Sequence, residues 1–443
     1  MPHSNSQSVI TIRLHSPVGR ALVVLPIVLA HLGAWFAVRW YVGDTIAEYA
    51  STNEAGSIEL ARLGVRWAPA DPFAHWRLGA LAEKEFSANN MAEAVREYRE
   101  AVRLSPSDYR YWGELGRALE ASGDSDGAEQ ALRRAVELAP SYSYPRWYLG
   151  NLLLREGKQE EAFQELARAA AADGQLQPQV FNLAWQFFEG NVNEITRVAC
   201  PSAGVRAEFA LYLAGLKKFD EAIRIWGTLS RTDQRSLSST GDRLKQSLID
   251  SKQFRVALKV LSDIAPEDTA RPVAEQFTNG GFENPLAHAS VNSFDWSIGS
   301  GAQVQSAIDA VSHNGHHSLR IIFKVPNKLD VIPVSQTVVV EPNMQYHFEC
   351  FARTEALDTG SAPVLMISDA ADNKALAGSA PLPTGTNDWQ KISFDFKTKP
   401  NSDGVTLTLV RPPCSVGPIC PILGTVWYDD FNLQRAGGRT GAR

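Results

Sequence analysis

Side chains able to do chemistry are few and scattered along the 443 residues of this chain. His313, His316 and His317 stand close together in a turn-like stretch. No cysteine or carboxylate cluster lies beside them, so they read as exposed loop histidines rather than metal ligands. Cys414 and Cys420 bracket a short loop that a disulfide closes well in an oxidising compartment; in a reducing one they would be two free thiols. Zinc needs two more ligands, and neither Cys200 nor Cys350 sits in a matching pair. The chain has no Gly-x-Ser-x-Gly elbow, no His-Glu-x-x-His, no phosphate loop and no dinucleotide fingerprint. The chemistry that remains is recognition: an enzyme is not expected, nor is a required cofactor.

Composition agrees. Charged residues at 21% and apolar ones at 44% describe folded domains, and the length allows two or three. A net charge of −6 with scattered basic residues argues against a nucleic-acid partner. The local exception is Ala21–Val38, 18 residues without a formal charge, followed by Arg39, Trp40 and Tyr41. That length spans a hydrocarbon core, and Trp35, Trp40 and Tyr41 fall where an interfacial aromatic belt sits. Arg13 and Arg20 precede the run, whereas Asp44, Glu48 and Glu54 follow it, which orients the short amino end to the cytoplasm and exports the rest. A cleaved signal peptide and a buried helix are the competing readings; the run is apolar all round, which speaks against the buried helix.

From Pro72 to about Leu176, small residues recur at fixed places: Gly79, Ala94 and Ala101; Gly116, Ala128 and Ala135; Gly150, Ala162 and Ala169. Pro106 and Pro140 are 34 residues apart. This pattern resembles the tetratricopeptide (TPR) repeat, a pair of short helices 34 residues long. Repeats are expected at 72–108, 109–142 and 143–176, with an incomplete one before them at 57–69. Divergent pairs follow, two of which share a Lys-x-Phe-x-x-Ala turn (Lys217, Phe219, Ala222; Lys252, Phe254, Ala257). The resemblance implies a right-handed solenoid that binds a protein on its concave face, lined by the first helix of each repeat. Register puts Phe73 and Trp76, Arg110 and Arg117, and Tyr144, Trp147 and Asn151 on that face, where aromatic and arginine side chains suit binding hot spots. Trp76 and Trp147 could equally pack as core between repeats.

Beyond Pro266 the period changes to two: Leu319, Ile321, Phe323; Tyr346, Phe348, Cys350; Ile392, Phe394, Phe396; Val405, Leu407, Leu409. Alternation broken by Gly, Pro, Asn and Ser turns indicates an antiparallel sandwich. The order of Asn279-Gly280-Gly281-Phe282-Glu283, Trp296, His316-His317, Trp389 and Trp427-Tyr428-Asp429-Asp430-Phe431 resembles carbohydrate-binding modules of the galactose-binding-like jelly-roll type. By that resemblance Glu283 and Asp430 would hold a structural calcium; otherwise they cap strand ends. Trp296, Trp389 and Trp427 are the aromatics available to stack on sugar rings, though each stands at a position that is usually core.

The expected fold class is multidomain α plus β. A cytoplasmic tail at 1–20 leads to a membrane anchor at 21–42 and a TPR solenoid at 45–266. A linker at 267–276, a jelly-roll sandwich at 277–434 and a disordered tail at 435–443 complete it. The expected function is a non-enzymatic scaffold at the inner membrane, its bulk in the periplasm, that binds a protein partner through the TPR array and a polysaccharide or a second protein through the sandwich, in envelope or exopolysaccharide assembly. The rival is a carbohydrate receptor whose TPR array is a spacer.

Overall fold

A computed structural model describes residues 17–51, 56–84, 88–266, 271–286, 294–324, 331–414 and 420–436. Residues 1–16 of the expected cytoplasmic tail, 267–270 of the expected linker and 437–443 of the expected carboxy tail lie outside them.

The apolar run forms most of helix α1 (Pro17–Tyr49). From Arg20 to Tyr49 this helix is long and apolar enough to be a membrane span or a signal sequence, and its apolar window is wholly exposed. Its last turns do something else. Gly43, Ala47 and Ala50 are buried against α2 (Ser57–Trp67), whose inner face is Ala61 and Gly64. A Cβ on Gly43 would lie 2.9 Å from the Gly64 carbonyl oxygen, so only glycine allows this approach. The end of α1 thus supplies the missing first helix of the incomplete repeat.

Three regular pairs follow: α3 (Pro72–Lys84) with α4 (Ala88–Leu104), α5 (Tyr109–Ala121) with α6 (Ser125–Leu138), and α7 (Ser143–Arg155) with α8 (Gln159–Ala172). Aspartates start three of these helices, Asp71 by accepting from the Phe73 N–H. Asp108 accepts from the Arg110 N–H and Asp124 from the Gly127 N–H, each worth about 1 kcal/mol. Within a repeat the helices touch at the small residues. A Cβ on Gly116 would meet Leu132 Cγ at 2.5 Å and the Ala128 carbonyl at 3.3 Å.

Then come α9 (Gln177–Phe187), α10 (Val192–Ala199), α11 (Ala203–Gly215), α12 (Phe219–Trp226), the short α13 (Arg231–Ser236), α14 (Ser238–Asp250) and α15 (Phe254–Ile264). In regular repeats the left-handed residue between paired helices is glycine, Gly123 at φ 88° and Gly157 at φ 78°. Between α11 and α12 and between α14 and α15 it is Lys217 at φ 61° and Lys252 at φ 62°, a costlier choice.

The chain divides into two compact units, Met1–Pro201 and Ser202–Arg443. Helices α11–α15 share a unit with the sandwich, and α15 is bonded to it. Asp403 accepts from the Arg255 N–H (2.8 Å) at the amino end of α15, and the Arg255 guanidinium donates to the Val340 carbonyl (2.8 Å). The described part of the expected linker is also tied down. Glu275 donates its N–H to Val339 (2.8 Å) and accepts from Tyr346 Oη (2.6 Å) and Arg435.

The sandwich has two antiparallel five-stranded sheets. One runs β1 (Ser297–Ile298), β4 (Val331–Val339), β9 (Gly404–Val410), β6 (Val364–Asp369), β7 (Ala375–Gly378). The other runs β2 (Val304–Asp309), β3 (Ser318–Phe323), β10 (Ile422–Arg435), β5 (Gln345–Thr359), β8 (Gly385–Lys397). The alternating apolar residues of β3, β5, β8 and β9 fill the space between them. Cys414 and Cys420 are disulfide-bonded with Cα atoms 5.7 Å apart, and the Arg411 guanidinium donates to the Cys420 carbonyl at 3.0 Å.

Gly116→Val is expected to cost about 1–3 kcal/mol by forcing α5 from α6, read as a lower urea midpoint of the array. An unchanged midpoint would mean that the small residue is not what sets the crossing.

Candidate functional site

Two neighbouring cavities open on the face formed by the first helices α3, α5 and α7. The first, about 330 Å³, is lined by Phe73, Trp76, Tyr109, Arg110, Tyr111, Glu114 and Tyr144. The second, about 350 Å³, is lined by Glu83, Arg117, Glu120, Trp147, Tyr148, Asn151 and others. The structure therefore gathers Phe73, Trp76, Arg110 and Tyr144 in one place and Arg117, Trp147 and Asn151 in the other. Trp76 does both things foreseen for it: half-buried, it packs on the core of the array and lines the first cavity. Trp147 is half-buried as well.

Between the cavities runs a ladder of charges. Arg117 pairs with Glu83 of the preceding repeat at 3.0 Å and with Glu114 on its own helix. Glu83 also accepts from Tyr98 Oη (3.0 Å), and Glu114 from Tyr144 Oη (2.8 Å). Burial works against the Arg117 charge, yet the two carboxylates outweigh it and raise its pKa further above the ordinary arginine value. Burial and the adjacent Glu114 push the Tyr144 hydroxyl pKa up, so it stays a donor. Arg117 is a clamp between repeats rather than a free hand for a partner. Arg110 is held by Asp108 (2.6 Å) but remains exposed, and Asn151 donates to the Trp147 carbonyl (2.8 Å).

In the sandwich the three tryptophans separate. Trp296 is core, against Phe282 and Phe431. Trp427 is buried but lies outside that core, under the Arg353 guanidinium (5.6 Å), its indole N–H donating to Asp309 (3.0 Å). Asp309 is also paired with Arg320 (2.8 Å). Trp389 is half-exposed, edge-on to the His313 ring (5.8 Å), and that ring stacks on Phe351 at 3.7 Å. Phe351 and Arg353 escaped the sequence reading as site residues, and His313 was read only as an exposed loop histidine. The signal was the other half of the β5 alternation: His347, Glu349, Phe351 and Arg353 interleave with the core residues Tyr346, Phe348, Cys350 and Ala352.

These two assemblies match known families. Residues 80–143 match the tetratricopeptide repeat family and residues 274–415 a carbohydrate binding domain family. The chain carries TPR repeats and a carbohydrate-binding module. Over 91 residues it is 40% identical to a TPR repeat-containing protein of Pseudomonas aeruginosa, covering 20% of this chain and 36% of that protein. Over 97 residues it is 31% identical to Superkiller protein 3 of Schizosaccharomyces pombe, covering 22% of this chain and 7% of that protein. The chain thus spans about a third or less of the length of these curated relatives. A solved structure described as "CBM4 structure and function" aligns with 36% of this chain and 99% of its own, at 14% identity and TM-score 0.28. MamA, in one crystal structure, aligns with 54% of this chain and 98% of its own, at 16% identity and TM-score 0.28. Neither structural likeness bears on function.

In the carbohydrate-binding module, Glu283 and Asp430 stand at one corner with Asp429, but their oxygens face N–H donors. Glu283 accepts from the N–H groups of His316 (2.8 Å) and His317 (3.1 Å), which hold its carboxyl below the usual range, with the His317 ring assisting. Asp430 accepts from His313 Nδ1 (2.7 Å), and Asp429 from the His313 N–H (2.8 Å). Calcium needs six or more oxygen ligands. Among the described residues no group of three or more His, Cys, Asp or Glu is placed to hold a metal ion. Oxygens of Glu283, Asp429 and Asp430 are taken up by these donors, and we infer that the hydrogen bonds, without an ion, hold this corner closed. The melting temperature of the module should therefore be the same in EDTA and in millimolar calcium, whereas a clear rise with calcium would restore the metal.

Proposed function

We propose that this chain is a membrane-anchored, non-enzymatic scaffold of a bacterial envelope, its TPR first-helix face holding a segment of a protein partner. The observation that carries this is the pair of adjoining cavities, both lined by aromatic and arginine side chains. Both recognised domains are of kinds that bind rather than catalyse. The apolar run Ala21–Val38 of α1, with Arg13 and Arg20 before it and Asp44, Glu48 and Glu54 after it, supports a single pass through the inner membrane and a periplasmic bulk. The Cys414–Cys420 disulfide agrees with an oxidising compartment. A carbohydrate-binding module on the same chain suggests service to exopolysaccharide or envelope assembly, where two weak contacts on one tether reinforce each other.

A second reading is favoured by the ring cluster His313–Phe351–Trp389: an aromatic platform of this kind suits a sugar ring, which would make the chain a carbohydrate receptor with the TPR array as spacer. One comparison separates the two. Binding of the partner captured from membranes by the full chain should weaken roughly thirty-fold in Phe73→Ala and Trp147→Ala, about 2 kcal/mol each. Arg117→Ala should lower the melting temperature of the array instead. If capture is indifferent to both aromatic variants, while Phe351→Ala and Trp389→Ala abolish retention on a polysaccharide, the receptor reading replaces the scaffold.

A further inference from the structure

We propose that the first repeat lies on the lipid surface, with Trp67 and Leu63 of α2 set in the headgroup layer. This rests on the reading of α1 as a membrane span. The charge-free run Ala21–Val38 rises about 27 Å as a helix, close to the thickness of a hydrocarbon core. Arg39 therefore stands at the outer edge of that core. Its guanidinium donates to the carbonyls of Trp67 (3.3 Å) and Arg66 (3.0 Å), the last two residues of α2. The carboxy end of α2 is thereby fixed at the level of Arg39, beside Trp40 and Tyr41.

From there α2 runs back along α1, with Gly64 against Gly43 and Ala47. One face of α2 is used up in that contact. The other exposes Trp67 (38%), Leu63 (40%) and Leu60 (37%), with Arg66 among them. Trp67 and Leu63 fall within about 6 Å of the Arg39 level, the depth of an interfacial layer, and Leu60 about 10 Å from it. Tryptophan is the side chain that settles at this depth, and Arg66 matches lipid phosphates in charge. Lipid is the occupant because the stripe continues the exposed apolar surface of α1, including Trp35, Phe36, Trp40 and Tyr41, with no break in level. Since α1 passes from the span into its packed turns as one helix, the contact also sets the tilt of the array on the membrane.

Nitroxide labels on Trp67→Cys, Phe36→Cys and Tyr142→Cys variants of the full chain, in nanodiscs of phosphatidylcholine and phosphatidylglycerol, test this by power saturation with oxygen and a nickel chelate. Phe36 should read as hydrocarbon and Tyr142 as water. Trp67 should lie between them, its oxygen-to-nickel ratio several-fold above that of Tyr142, and Leu63→Cys should follow the same trend. A Trp67 label as open to nickel as Tyr142, with Phe36 still in hydrocarbon, overturns the docking and leaves the span intact. Labels at 67 and 63 shielded from both reagents mean that protein covers the stripe, which also overturns it. Water at Phe36 as well removes the span and the docking together.

Discussion

Where two helices of a repeat cross, Gly116 lies against Leu132 and Ala128, and Gly150 against Leu166 and Ala162. Side chains this small let the backbones approach until the larger neighbours interlock, and the close packing then admits one spacing only. That spacing carries the first helices past one another so that Trp76 of α3, Tyr111 of α5 and Tyr144 of α7 border a single cavity. The same device joins α1 to the array through Gly43 and Gly64, which makes an apolar helix and a binding domain one continuous body at that end.

Charges then fix what packing leaves free. The link from Glu83 through Arg117 to Glu114 and Tyr144 crosses from one repeat into the next two, between groups that are mostly out of water. Such pairs gain from their partners what they lose in hydration, and removing one member strands the others. The cost of the ladder is that it takes Arg117 away from any ligand. On the proposed reading, recognition on this face is left to the aromatic rings and to Arg110.

The helical half was legible because its signature is local. Small residues at the crossings and prolines after the second helices mark each repeat without reference to anything distant. The pairing of Arg117 with Glu83 is not local in that sense: the crossing glycines Gly79 and Gly116 are 37 residues apart, so Arg117 corresponds to Ala80, and its pair with Glu83 joins unlike places in adjacent repeats. Period two identified the sandwich, but attention to its apolar half concealed Phe351 and Arg353 in the other half. Trp427 was ambiguous for a physical reason: the register shift between Asp429 and Asn432 in β10 breaks the parity that would have assigned its face. The Asp403–Arg255 contact, which ties α15 to the sandwich, joins residues 148 positions apart, and no composition change reports that.

The proposed function assigns recognition to two surfaces of different chemistry, an aromatic groove and an aromatic platform on a sheet, and the groove is the one assembled from the most conspicuous sequence features. Hydrogen exchange on the full chain, with and without the partner it captures, addresses that directly. Binding on the TPR face requires added protection in residues 72–84, 109–121 and 143–155, with β5, β8 and β10 unchanged. Protection confined to 345–397 and 422–435, with the three first helices unchanged, would contradict it.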